Sequence, residues 1–104
     1  MTAHRIGWLM PHSPALPTLD FYARTGCELC DEARADLQAA LEQRVRRGDP
    51  IVRVHDVDID TDADLMERYG ALIPVLSLSG QELTLAMGRR SIEIFLDRVL
   101  GRLA

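Results

Sequence analysis

The sequence predicts a single α/β domain of order β-α-β-α-β-β-α, a four-stranded mixed sheet flanked by three helices. Three observations carry that prediction. An alternating apolar run ends at Thr25-Gly26 and gives way to a long stretch with apolar residues at every fourth position. Two short apolar runs flank a Ser-Gly-Gln-Glu turn beginning at Ser79. The final stretch, from Ser91, repeats apolar residues at helical spacing.

The elements follow in order. From Pro17 to Arg24, Leu19, Phe21 and Ala23 alternate with Asp20, Tyr22 and Arg24, which suits a strand. From Glu28 to Arg47, Leu29, Ala33, Leu37, Leu41 and Val45 place one apolar face on a helix, which Gly48 and Asp49-Pro50 end. Ile51 to Ile59 forms a second strand, with only its second half buried. Asp60 to Tyr69 is a short helix capped near Thr61 or Asp62 and ended by Gly70. Val75–Ser79 and Leu83–Met87 form a hairpin, and Ser91 opens the last helix with Ile92, Phe95, Leu96, Val99, Leu100 and Leu103 inward. The long helix joins two strands that should be parallel with a right-handed crossover. Residues 1–16 contain Pro11 and Pro14, show no periodicity and make a poor secretory signal. They are expected to form a disordered or loosely docked tail ahead of one domain at 17–104.

Composition narrows the function. The chain has 104 residues, 12 Lys plus Arg against 16 Asp plus Glu, and a net charge of −4, which argues against nucleic acid or an anionic membrane as partner. No apolar run reaches the roughly 20 residues that span a bilayer. Two cysteines are too few for a disulfide-stapled secreted scaffold.

Those cysteines hold the main signal. Cys27-Glu28-Leu29-Cys30 sits where the first strand ends and the first helix begins. Unpaired N–H groups and the positive end of the helix dipole stabilise a thiolate there and lower its pKa. The thiolate is the species that attacks a disulfide. At i,i+3 spacing the second thiol lies on the same face, so Cys27 is the expected attacker and Cys30 the resolving thiol. Arg24 favours the Cys27 thiolate, whereas Glu28, Asp31 and Glu32 oppose it. Two other readings stay open: half of a zinc site, which would need ligands beyond the pair, and two packing cysteines.

Pro74 precedes an apolar strand, an awkward place for a residue without an N–H. A cis bond between Ile73 and Pro74 would account for it and turn the Ile73 backbone toward an extended substrate. His55 reads as a structural or partly exposed histidine, and Arg89-Arg90 as a solvated hairpin end. Asp56, Asp58, Asp60, Asp62, Asp64 and Glu67 share the spacing of an EF-hand loop, but Thr61 stands where that loop needs glycine. They read instead as a solvated strand face running into a capped helix.

A CxxC pair after the first strand, followed by a hydrophobic-Pro pair and a hairpin, resembles the thioredoxin fold. More narrowly, FYARTGCELCDEA, DVDID, RYGALIPVL and the Gly80 turn resemble the small bacterial glutaredoxin-like family with C-x-L-C. The resemblance covers about Leu19 to Leu100. It implies Cys27 as nucleophile, Cys30 as resolving thiol and Pro74 as the cis-proline beside them. It also implies Arg24 as a contact for the glutathione carboxylate and Ile73 as a backbone contact for the glutathione cysteine. The chain departs from the glutaredoxin pattern at Glu28-Leu29, where Pro-Tyr is common, and at Met87-Gly88-Arg89-Arg90-Ser91, which has one glycine instead of two and a capping serine.

The expected activity is thiol–disulfide oxidoreduction in the cytoplasm by a monomer. The substrate would be a disulfide-containing or glutathionylated protein, with glutathione a possible co-substrate, no bound cofactor and no metal. A non-catalytic binding module and a metal carrier that pairs CxxC motifs from two chains are the alternatives.

Overall fold

A computed structural model describes residues 15–103 of the chain. The expected tail therefore lies, but for Ala15 and Leu16, outside the described residues. Four strands form one sheet in the order β2-β1-β3-β4: β1 (Thr18–Ala23), β2 (Arg53–Asp58), β3 (Val75–Leu78) and β4 (Gln81–Leu83). Among the described residues three α-helices accompany it, α1 (Glu28–Arg47), α2 (Ala63–Tyr69) and α3 (Arg89–Leu100), with a 3-10 turn at Ile59–Thr61 before α2. Strand β2 runs parallel to β1, while β3 is antiparallel to β1 and β4 to β3.

The alternation in β1 sorts its side chains between two cores. Leu19, Phe21 and Ala23 are buried with Leu76 and Leu78 of β3, under Cys30, Ala33, Leu37 and Ala40 of α1 and Ile92, Phe95 and Leu96 of α3. On the opposite face Tyr22 packs with Ile59, Tyr69, Val75 and Leu65, the side covered by α2. Two helices thus lie on one face of the sheet and one on the other.

The buried stripe of α1 is Cys30, Ala33, Leu37, Ala40 and Arg44, and not the expected step of four. A step of four over-rotates by about 40° each time, so Leu29 and Val45 drift off the face. They are 46% and 59% exposed. Gly48 ends the helix in the left-handed conformation, its amide bonded to the Arg44 and Val45 carbonyls. At the end of α2, Gly70 is fixed by space: a Cβ there would sit 2.5 Å from the Met66 carbonyl oxygen.

Three other expectations are corrected. Strand β2 is an edge strand exposed along most of its length; the buried residues of the expected stretch are Val52 just before it and Ile59 in the 3-10 turn that follows it. The hairpin turns at Ser79-Gly80, both at positive φ, so β4 occupies Gln81–Leu83 and not Leu83–Met87. This tight turn pairs Leu78 with Gln81 directly. Leu85, at φ 47°, then takes the chain out of strand conformation. Helix α3 starts two residues earlier than expected, at Arg89 after Gly88, and Ser91 does not cap it. The Ser91 hydroxyl instead donates back to the Met87 and Gly88 carbonyls.

Candidate active site

The site is built where β1 runs out and α1 begins. Gly26 takes φ +82°, a turn that residues with a Cβ rarely adopt, and its position toward a Cβ is open. Cys27 follows in extended conformation as the N-cap of a twenty-residue helix. Its Sγ accepts the backbone N–H of Cys30 at 3.1 Å, the role an oxygen plays in an ordinary cap. Its carbonyl accepts the Asp31 amide at 3.0 Å, so the helix is entered without a break.

Cys27 and Cys30 are joined as a disulfide with Cα atoms 5.2 Å apart. The two sulfurs are unequal. Cys30 is fully buried among the residues of the larger core, whereas Cys27 is half-buried and borders the solvent. Glu28 and Leu29 between them are exposed.

Sheet register brings the second signal to the same end. Tyr22 of β1 pairs with Val75 of β3, so the residues before Val75 lie beside the end of β1 from which the cysteine loop departs. The Ile73–Pro74 peptide is cis. Pro74 is buried, and its carbonyl accepts the Ala86 amide at 2.8 Å. Ile73 donates its own amide to the Tyr69 carbonyl at 3.0 Å. Among the described residues its carbonyl has no backbone partner.

Arg24 does not stand free. Its Nε meets both carboxylate oxygens of Asp60, at 2.9 and 3.0 Å. Arg34, one turn into α1, pairs with Asp56 at 3.0 Å and Asp31 at 3.5 Å, and lies over the Phe21 ring. Between them is a cleft of about 360 Å³ lined by Arg24, Thr25, Gly26, Asp31, Arg34, Asp56 and Asp58, among others. It opens beside the carboxyl ends of the parallel pair β1 and β2, directly before Cys27.

The acidic run is thus largely accounted for by structure. Asp56 and Asp60 hold arginines, Asp58 caps the 3-10 turn, and Asp62 caps α2 through the amides of Asp64 and Leu65. His55, exposed on β2, lies 3.0 Å from Asp20. Arg89 bonds to Glu93 and Gln43, at the start of α3. Among the described residues, no group of three or more His, Cys, Asp or Glu is arranged to hold a metal ion.

Sequence reading alone did not single out Asp60 or Arg34. What brings them to the site is the register of the parallel pair, which sets Ala23 against Asp58 and carries the acidic run toward the residues preceding Cys27.

Comparison with known proteins agrees with this geometry. The model of the family described as Glutaredoxin-like domain (DUF836) matches residues 18–99. The chain belongs to that glutaredoxin-like family. An X-ray structure of a structural-genomics target protein from X. campestris, XcR50, is similar at 34% identity and a TM-score of 0.62. The match covers 77% of this chain and 96% of the other. A search of curated proteins finds no match. The glutaredoxin-like assignment therefore covers all four strands and nearly all of α3, and Cys27 and Cys30 lie within it.

Proposed function

We propose that this glutaredoxin-like protein is a thiol–disulfide oxidoreductase that reduces disulfides or glutathione mixed disulfides of protein substrates. One observation carries the reading: Cys27 caps α1 with its sulfur on the Cys30 amide, half-buried, while its disulfide partner Cys30 is fully buried. An N–H donor and a helix N-terminus both favour a thiolate at Cys27 once the disulfide is opened.

In the reduced protein the Cys27 thiolate attacks one sulfur of a substrate disulfide. A mixed disulfide forms and the other substrate sulfur leaves as a thiolate, taking a proton from solvent. Cys30 then loses its proton and attacks Cys27 Sγ, which restores the Cys27–Cys30 disulfide and releases the second substrate thiol. Two electrons and two protons have passed to the substrate. A thiol reductant, glutathione or a dithiol reductase, regenerates the pair by the reverse exchange. The cis Ile73–Pro74 segment borders this site, and the free Ile73 carbonyl is the backbone group offered to an extended substrate. The scheme needs no bound cofactor and suits a monomer in a reducing, cytoplasmic compartment.

The test is a glutathione redox titration, with free thiols alkylated and masses read for the wild type and Cys30→Ser. The expected result is a Cys27–Cys30 disulfide that exchanges reversibly with the buffer and a mixed disulfide on Cys27 in the variant. Thiols that stay free across the whole series would refute the reading.

A further inference from the structure

We propose that Asp60 is a specificity-determining residue that turns the site away from carboxylate-bearing disulfides and toward neutral or cationic ones. The inference rests on the oxidoreductase reading and deepens it. Arg24 lies three residues before the attacking sulfur and lines the cleft that reaches as far as Gly26, the residue before Cys27. A guanidinium in that place is the natural partner for a carboxylate on a substrate, since its planar fork matches the two oxygens. Asp60 already holds that guanidinium by one edge, with both of its oxygens within 3.0 Å of Nε.

Among the described residues, no unpaired cation in the cleft restores positive charge. Arg34 is held by Asp56 and Asp31, and Asp58 adds a further carboxylate to the lining. An anionic disulfide such as glutathione disulfide must either displace Asp60 or meet a surface with more carboxylates than guanidinium groups. A disulfide flanked by ammonium or guanidinium groups meets neither obstacle, and the local field draws it in. The pair is partly exposed, at 38% and 43%, so exchange of partners is feasible and the discrimination is graded.

The covalent step is the one already given: Cys27 sulfur bonds to one substrate sulfur and the other leaves as thiolate. Rates of mixed-disulfide formation would be measured on Cys30→Ser with glutathione disulfide, hydroxyethyl disulfide and cystamine. Each rate is divided by that of a small neutral thiol with the same disulfide, which cancels leaving-group differences. The normalised rate should rise in that order, with glutathione disulfide about tenfold below cystamine in dilute buffer, where the Debye length is roughly 30 Å. The spread should narrow at about 1 M salt.

Asp60→Asn in the same background should raise the ratio of glutathione disulfide to hydroxyethyl disulfide by about threefold to tenfold. Asp60→Ser is the second variant should the amide disturb the 3-10 turn. Adding Arg24→Gln should cancel the gain, which a merely structural effect of Asp60 would not do. A wild-type protein that takes glutathione disulfide as fast as cystamine, or a ratio unmoved by both Asp60 variants, would overturn the proposal while leaving the redox reading standing. Failure of all three disulfides to react would sink the redox reading, and this proposal with it.

Discussion

Tyr69 shows how one side chain links α2 to two strands of the sheet. Its ring stacks on Tyr22 at 4.3 Å, and its hydroxyl donates to the Glu82 carboxylate on β4. Arg68 lies 5.0 Å above the same ring. Burial, then the hydrogen bond to Glu82 and its negative charge, push the Tyr69 pKa from 10.0 up to about 12. The folded chain therefore keeps the phenol proton through a range in which the unfolded chain has released it. The resulting stability is whole below pH 10 and is lost as the pH rises from 10 toward about 12. Tyr69→Phe should flatten that alkaline decline, at a cost of about 1 kcal/mol near neutrality for the missing hydrogen bond. Urea unfolding across the alkaline range checks both effects. Parallel stability–pH curves for wild type and variant would show that the Tyr69 proton is not the coupled group.

At the scale of elements, α1 is fastened at both ends by different means. Cys27 caps its start. Near its end Arg44, 3% exposed, donates to the Pro50 carbonyl at 2.6 Å, to Asp97 of α3 at 2.7 Å and to the Gly101 carbonyl. One guanidinium thus ties the α1–β2 connection to the end of α3. Asp49 beside it is buried, with Oδ1 accepting the Leu103 amide at 3.0 Å. Arg44→Met keeps the stem and removes the fork, leaving two carbonyls without their donor. The expected loss is about 3 kcal/mol, read as a lower urea midpoint. An unchanged midpoint would mean that burying the guanidinium costs as much as its bonds return. This lock was not legible in the sequence, because a buried arginine on an apolar stripe looks like any solvated one until tertiary partners are known. The order of elements was legible from local patterns, as were the cysteines at the strand–helix boundary. Element limits failed where backbone geometry decided them. The Ser79-Gly80 turn set β4, and Gly88 set the start of α3. Arg24 was legible as a residue near Cys27. Its engagement by Asp60 depended on the β1–β2 register, which no local pattern states.

At the scale of the whole molecule, the sheet formed by the described residues has two edges, and they are unequally protected. Strand β4 is only three residues long, whereas β2 presents six, with most of its side chains exposed. Such an edge invites a second chain to add a strand. Here it reads Arg53-Val54-His55-Asp56-Val57-Asp58, and charged or polar groups interrupt every apolar residue. Beside it an apolar hollow of about 340 Å³ is lined by Phe21, Leu37, Leu41, Val45 and Val54, and rimmed by Arg34, Glu42 and Asp56. Charge along β2 is therefore the feature expected to guard this edge, next to apolar surface, against association. Replacing Arg53 and His55 together with valine would leave β propensity intact or improved while removing that guard. The double variant should associate as concentration rises, followed by light scattering and sedimentation, with the wild type monodisperse over the same range. Equal association of the two proteins would show that Arg53 and His55 do not protect the edge, and would direct attention to the hollow beside it as the contact surface.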